Sequence, residues 1–142
     1  KKMTTEKTNK TDVTIIGWHF HIYFFPNNRQ FLREIQEVAK EAEERWGKYG
    51  VYVKISPQPI GPHSLPMLEI CVSDPAKKEQ NYKLFPEIFA YVQMNLDMNK
   101  FPTMIHPVTH PFKNTEMYED HVKRAFWGGN KQLLNAEIIL DL

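Results

Sequence analysis

Two histidines and a tyrosine share one side of a short alternating stretch, residues 17–25. Apolar side chains alternate there with His19, His21 and Tyr23, and this two-residue period predicts a β-strand with two chemically different faces. Successive side chains on one face of a strand lie roughly 6–7 Å apart, so both imidazoles can point at one bound ion or small molecule. An ordinary half-buried strand with a polar outer face has the same alternation, so this stretch alone does not distinguish a binding site from scaffold.

Histidine placement is the most unusual feature of the sequence. The six histidines fall in four short stretches, and none lies in the first predicted helix. They are His19, His21, His63, His106, His110 and His121. Two histidines and a carboxylate on one side of a metal ion leave positions open for substrate and dioxygen, which is the pattern of non-haem Fe(II) oxygenases. Zinc hydrolases use similar donors, so the residue types alone do not choose the metal.

Apolar periodicity predicts the order β-α-β-β-α-β for the elements that must position these residues. Steps of three and four residues predict a helix over residues 29–46 and a second helix whose apolar stripe runs over residues 85–96, with Pro86 in its first turn. Alternation predicts three further strands, at residues 51–55, 67–73 and 102–107. This order is typical of an α+β, ferredoxin-like fold, in which an antiparallel four-stranded sheet carries two helices on one face.

The ferredoxin-like topology brings polar residues from three strands together. Its first strand is central, between the third and fourth strands, and alternation indicates which side each residue faces. The face that the helices leave uncovered therefore presents four polar side chains. These are His19, His21, Glu69 and His106. Clustered imidazoles with one carboxylate are the donors that a borderline divalent metal prefers.

Residues beyond the fourth strand form a C-terminal extension rather than a linker. A helix is predicted from Asn114 through Trp127, ending at the glycine pair that follows. An open sheet face that bears Tyr23, Met67 and Met104 would expose an apolar patch prone to association. Either the extension or the second subunit of a homodimer is therefore expected to cover that face.

Length and composition bound the class of protein. The 142 residues suit one domain, and the Lys/Thr-rich residues 1–12 are predicted to be a disordered tail ahead of a single domain at residues 13–142. RNA-recognition domains share the predicted topology, but a net charge of +1 and the lack of a basic, glycine- and aromatic-rich stretch argue against nucleic acid. No apolar run approaches the ~20 residues of a membrane span. The single cysteine, Cys71, excludes an internal disulfide and fits a reducing, cytoplasmic compartment.

Four short segments together match the pattern of a known family. The segments are Phe-His-Ile-Tyr-Phe at residues 20–24, Gly-Pro-His at 61–63, Ile-His-Pro at 105–107, and Asp-His at 120–121 followed by Ala-Phe-Trp-Gly at 125–128. In order and spacing they resemble the fungal and bacterial dopa 4,5-dioxygenase family. The resemblance implies a ferredoxin-like fold and extradiol cleavage of a catechol by O₂, with L-dopa as the substrate of the fungal members. It also implies a non-haem Fe(II) cofactor, or another divalent metal in the purified protein.

The resemblance also implies roles for individual residues. Together with the carboxylate from the strand pattern, the expected metal ligands are His21, His63, His106 and Glu69. Glu69 stands where fungal relatives carry glutamine, so the family does not require its carboxylate. The expected catalytic residues are His63 and His121, with His121 as the acid–base group because the imidazole pKa lies nearest neutrality. His19 and His110 lie outside the family pattern. The substrate contacts expected from the sequence as a whole are His19, Tyr23 and Arg124.

A non-catalytic ligand-binding or dimerisation module is the alternative function. Ferredoxin-like sheets often dimerise through their open face, and a fold does not by itself imply a function. Tight dimerisation without bound metal, and no change in absorbance with a catechol, would favour this alternative. A nucleophilic role for Cys71 is the weaker interpretation, because a small strand cysteine is more often simply buried.

Overall fold

The computed structural model describes residues 13–142, so the predicted disordered tail of residues 1–12 lies outside the described residues. The β-strands are β1 (Gly17–Tyr23), β2 (Tyr52–Ser56), β3 (Met67–Val72), β4 (Thr103–Val108) and β5 (Phe126–Gly128). The α-helices are α1 (Arg29–Trp46), α2 (Lys78–Asn95), α3 (Asn114–Val122) and α4 (Glu137–Leu140). The predicted β-α-β-β-α-β order is confirmed by the elements from β1 to β4. Within residues 13–142, no helix is long and apolar enough to cross a membrane.

All five strands pair antiparallel, in the spatial order β2-β3-β1-β4-β5. β1 is central between β3 and β4, as the topology predicts, and β5 adds a fifth strand to the four expected ones. The register places His21 between Glu69 on β3 and Met104 on β4. It also pairs His19 with His106 on β4. Because paired residues face the same side of a sheet, all these side chains share one face.

The main core lies between the sheet and the helices α1 and α2. Phe20 and Ile22 of β1 are fully buried in it, whereas Tyr23 belongs to a separate cluster on the other face, so the predicted alternation is confirmed. α1 begins where the Asn28 side chain accepts a hydrogen bond from the backbone N–H three residues further on. Its buried stripe consists of Ile35, Val38, Ala42 and Trp46. Each large apolar side chain buried in this way contributes roughly 1.5–3 kcal/mol.

α2 begins earlier than its apolar stripe predicts. The helix starts at Lys78, so Pro86 lies inside it and the prediction of Pro86 in the first turn is wrong. Near the start of the helix, the buried Asn81 side chain donates hydrogen bonds to the backbone carbonyls of Ile16 and Asp74. Hydrogen bonds dock this end of α2, and apolar periodicity carries no signal for such a contact.

The second face of the sheet is covered by the chain's own C-terminal extension. Tyr23, Met67 and Met104 form a second buried cluster there, and Trp127 and Leu134 of the extension pack against it. A second subunit is therefore not needed to cover this face, although the predicted homodimer stays a prediction.

The helix predicted over residues 114–127 is wrong in its last turns. α3 ends at Val122, and Phe126–Gly128 forms β5, which pairs with the outer edge of β4. Trp127 stacks there on Tyr23, with ring centroids 5.8 Å apart. Strand pairing and aromatic packing thus replace the helical hydrogen bonds that the local sequence favours.

Candidate metal centre

Five imidazoles converge on the sheet face that the C-terminal extension covers, and we refer to them as the histidine cluster. β1 supplies His19 and His21, β4 supplies His106, the loop between β2 and β3 supplies His63, and α3 supplies His121. Ring centroids lie 4.3 Å apart for His21 and His63, and 5.0 Å apart for His21 and His106. The rings of His106 and His121 are closer still, at 3.9 Å. Four separate elements thus deliver their imidazoles to one place.

The nitrogen atoms of the histidine cluster are spaced for a metal ion. Nε2 of His21 lies 3.0 Å from Nε2 of His106. Two trios have ligand atoms that all lie within 4.8 Å of one another, and His21 belongs to both. The trios are His19, His21 and His106, and His21, His63 and His121. Imidazole nitrogen suits borderline divalent ions such as iron and zinc, so this donor set fits such an ion.

Two of the imidazoles carry their proton on Nδ1, which leaves the lone pair on Nε2. Nδ1 of His106 lies 2.8 Å from the carbonyl oxygen of Pro107. Nδ1 of His121 lies 2.8 Å from the carbonyl oxygen of Met117. A carbonyl oxygen only accepts hydrogen bonds, so both Nδ1 atoms carry the proton and donate it. Metal-binding histidines typically have their second nitrogen tied in this way.

Burial keeps the histidine cluster neutral at pH 7. It lowers the pKa of His19 to about 4 and that of His63 to about 3, and neighbouring imidazoles add to the effect. Burial and neighbouring imidazoles also hold the pKa values of His21 and His106 well below the ordinary 6.5. The pKa of His121 is lowered by burial too, although a carbonyl hydrogen bond and a nearby carboxylate oppose that shift. Neutral imidazoles can bind a metal without first losing a proton.

Glu69 lies beside His21 and outside both trios. Its Oε2 is 3.9 Å from Nδ1 of His21, and the Met67 sulfur is 3.3 Å from the same nitrogen. The structure therefore places the predicted carboxylate ligand behind the His21 ring, where a carboxylate can orient a ligating imidazole. Burial raises the pKa of Glu69 and that of the neighbouring Cys71 thiol. A raised thiol pKa disfavours the nucleophilic thiolate at Cys71.

Two of the predicted substrate contacts lie within or beside the histidine cluster. Tyr23 is fully buried, and its hydroxyl oxygen is 2.6 Å from Nδ1 of His63. His19 lies at the edge of the cluster, where its Nε2 is 2.8 Å from the Ser73 hydroxyl oxygen. Tyr23 therefore contacts Nδ1 of one cluster imidazole. His19 lies at the rim, where part of the residue is exposed although the protein around its ring still lowers its pKa.

Arg124, the third predicted substrate contact, is not brought together with the histidine cluster. Its guanidinium forms ion pairs with Asp120 at 2.9 Å and Glu116 at 3.1 Å. It lines a separate cavity of about 320 Å³ beside α2, among aromatic side chains that include Trp18 and Phe89. Its proposed contact with substrate stays a prediction that the observed ion pairs do not favour.

Asp120 and Thr109 position His121, and sequence reasoning missed this link. The buried Asp120 carboxylate accepts hydrogen bonds from the Thr109 backbone N–H at 3.0 Å and from the Thr109 hydroxyl at 2.9 Å. Thr109 directly follows β4, so the contact fixes the end of α3 against the strand that carries His106. Asp120 was visible in the sequence as the neighbour of His121, whereas no spacing pointed to Thr109.

Residues 131–137, which we call the clamp segment, hold the loop that carries His63. Leu134 forms an isolated β-bridge with His63, and the amide that follows Leu134 donates to the carbonyl that precedes His63 at 2.8 Å. The Ser64 hydroxyl donates to the Leu133 carbonyl at 2.8 Å. The prolines in this loop predict that it is stiff. They do not predict the tertiary hydrogen bonds that position His63, and the only related feature of the sequence is the apolar pair Leu133 and Leu134.

A cavity of about 490 Å³ opens between α3 and the clamp segment and reaches the histidine cluster at His121. Its walls mix apolar side chains with polar ones such as Tyr118, Lys131 and Glu137. Its size is within the range of small-molecule sites, so a small molecule can approach the cluster from this side.

Comparison with known proteins identifies related chains. Residues 18–138 match the model of the Dopa 4,5-dioxygenase family. The DOPA 4,5-dioxygenase of Amanita muscaria is 30% identical over 139 residues, which cover 94% of this chain and 54% of that protein. The chain thus spans about half the length of this relative. An uncharacterized 21.2 kDa protein of Botryotinia fuckeliana is 28% identical over 149 residues, covering 100% of this chain and 74% of its own length.

A solved structure shares the fold. The crystal structure of a candidate dioxygenase from Nostoc punctiforme PCC 73102 superposes with a TM-score of 0.61 at 22% sequence identity. The match covers 89% of this chain and 93% of the Nostoc chain. At this identity the likeness is one of architecture.

Proposed function

The chain belongs to the dopa 4,5-dioxygenase family, and from that premise we propose that it is an extradiol dioxygenase that cleaves a catechol such as L-dopa. Family membership supports dioxygenase chemistry in general. The observation that carries the finer proposal is the cluster of five imidazoles, with nitrogen atoms close enough to share an ion, beside a cavity large enough for a catechol.

The proposed cofactor is Fe(II), held by imidazoles of the histidine cluster. His21 is the central candidate ligand because it is common to both trios. Zinc suits the same nitrogen donors but has no redox chemistry with which to use dioxygen. When bound, Fe(II) supplies that redox chemistry together with open positions for the catechol oxygens and O₂.

His121 is the cluster imidazole that a substrate entering through the cavity meets. Its Nδ1 proton is committed to the Met117 carbonyl, so its Nε2 lone pair can accept a proton from a catechol hydroxyl. The charge of the adjacent Asp120 favours the protonated ring that results. His121 therefore suits the role of general base in this proposal, in agreement with the acid–base role that the resemblance implies.

The proposal is tested by adding Fe(II) and L-dopa to the metal-free protein in air. We expect a yellow ring-cleavage chromophore. After a strong chelator has removed the metal and abolished activity, we expect Fe(II) to restore that activity better than Zn(II). The His21→Ala variant is the matched control for the metal site, because it removes the imidazole shared by both trios. Full turnover in the chelated protein would contradict the proposal. A tight dimer with neither bound metal nor a response to any catechol would instead indicate the non-catalytic module.

A further inference from the structure

The Tyr23 hydroxyl has one hydrogen-bond partner in the part of the chain that the structure describes, and it is Nδ1 of His63 at 2.6 Å. The phenol is fully buried, with Met67 and Met104 in the same apolar cluster and Trp127 stacked on its ring. Apolar neighbours of this kind offer the hydroxyl no alternative acceptor. A buried O–H that does not donate loses its hydrogen bond to water without replacement, which is unfavourable.

These contacts determine which atom donates. If Nδ1 of His63 carried the ring proton, it would donate to the phenol oxygen and leave the Tyr23 O–H without an acceptor. If the phenol donates, Nδ1 is the acceptor and the single proton of the neutral ring must reside on Nε2. Burial raises the pKa of Tyr23, so the phenol keeps the proton that it donates.

We propose that Tyr23 is a positioning residue that fixes His63 as the Nε2–H tautomer, so that His63 presents a hydrogen-bond donor to the substrate instead of a lone pair to the metal. Nε2 is the nitrogen that Tyr23 leaves available, and the His63 ring centroid lies 4.3 Å from that of His21 and 6.0 Å from that of His121. A fixed N–H is suited to stabilise a catechol oxygen that gains negative charge. This role contrasts with that of His106 and His121, whose Nε2 atoms carry lone pairs.

The backbone supports the same arrangement. His63 is 8% exposed, and the clamp segment holds its main chain through the β-bridge to Leu134. The ring is therefore fixed at Nδ1 by Tyr23 and at its backbone by the clamp segment. The metal is then held by other members of the histidine cluster, among which His21 is common to both trios.

The tautomer can be read directly in the unmodified, metal-free protein. In a long-range ¹H–¹⁵N correlation spectrum at pH 7, we expect His63 with a protonated Nε2 and an unprotonated Nδ1. In Tyr23→Phe the phenol donor is gone, so the His63 signals should shift toward the opposite tautomer or a mixture. A His63 ring protonated at Nδ1 in the unmodified protein, or signals unchanged in Tyr23→Phe, would overturn the proposal. This measurement does not depend on whether the protein cleaves catechols.

Metal binding gives a second test, which rests on the proposed function only in assuming that a metal binds. Co(II) serves as a coloured probe, titrated into the unmodified protein, His63→Gln, Tyr23→Phe and the control His21→Ala. We expect His63→Gln and Tyr23→Phe to bind Co(II) within about tenfold of the unmodified protein, and His21→Ala to lose more than about 100-fold. A loss in His63→Gln as large as that in His21→Ala would show that His63 is a ligand. Failure of the unmodified protein to bind any divalent ion would count against the proposed function and leave the tautomer result standing.

Discussion

His21 holds the centre of the histidine cluster because it lies on the central strand. Its side chain is almost fully buried, and its Nδ1 faces the Met67 sulfur and the Glu69 carboxylate. His19 points to the same side of β1 two residues earlier, but it is partly exposed and its Nε2 contacts the Ser73 hydroxyl. Position along the strand, rather than direction, therefore separates the roles of these two imidazoles.

Alanine substitution of these two histidines should have unequal effects. We expect His19→Ala to keep measurable turnover and bound iron, with a loss of about 10–100-fold, because water can replace a rim imidazole. His21→Ala should lose bound iron or turnover altogether, since both trios contain His21. Iron content and initial rates of ring cleavage, measured on variants with matched circular dichroism, check this ranking. Equal and complete loss in both variants would show that His19 takes a primary part, and the reverse ranking would place the site one strand step away.

At the scale of elements, the candidate site depends on the clamp segment that closes over the sheet. Leu134 packs against the cluster of Tyr23, Met67 and Met104, and its backbone bridges to His63. Leu133 contributes a backbone carbonyl, but the residue as a whole is 86% exposed. Neighbouring leucines thus differ in whether their side chains support the site.

This difference predicts the outcome of placing a charge at each leucine. Leu134→Asp should displace the clamp segment, because an unpaired carboxylate is costly against an apolar cluster, and turnover should fall by about 10–100-fold. Leu133→Asp is the matched control, and its free energy of unfolding should stay within about 0.5 kcal/mol of the parent. Turnover and amide hydrogen exchange in the loop around His63 measure the two effects. Equal behaviour of the two variants would contradict a supporting role for the Leu134 side chain.

Elements with strong periodicity could be predicted from the sequence, and those set by tertiary contacts could not. Alternation in β1 placed His21 on the correct face, and topology placed it beside Glu69, because both follow from backbone geometry. The sequence around Trp127 predicts the continuation of a helix, yet pairing with β4 makes this segment a strand. The start of α2 depends on hydrogen bonds of Asn81 that leave no apolar pattern.

The candidate site was predictable to the same extent. The alternation of the strands predicted that His19, His21 and His106 share one face of the sheet. The family resemblance added His63 and His121. Hydrogen-bond partners of the rings depend on distances that neither source contains. The sequence therefore did not indicate that Glu69 lies outside both trios or that Arg124 pairs with Asp120.

The molecule as a whole encloses several neutral imidazoles in one covered site, and this links its stability to pH. An unfolded chain protonates a histidine near pH 6.5, whereas burial lowers the folded-state pKa of His19 to about 4 and that of His63 to about 3. Between these values the unfolded state binds more protons than the folded state. The folded state is therefore most favoured above pH 6.5, and it loses stability as the pH falls toward 4.

In the metal-free protein, the free energy of unfolding should fall as the pH is lowered from 7.5 to 5. Each histidine with a strongly lowered pKa contributes a slope of about 1.4 kcal/mol per pH unit below pH 6.5. His19→Gln should reduce the slope by about that amount, because it removes one such group. His110→Gln, at an exposed histidine outside the histidine cluster, is the control for the substitution itself. Urea unfolding at each pH provides the measurement. A flat profile between pH 6.5 and 5 would show that the enclosed imidazoles take up protons as readily as those of an unfolded chain, and the neutral donor set proposed for the metal would then be wrong.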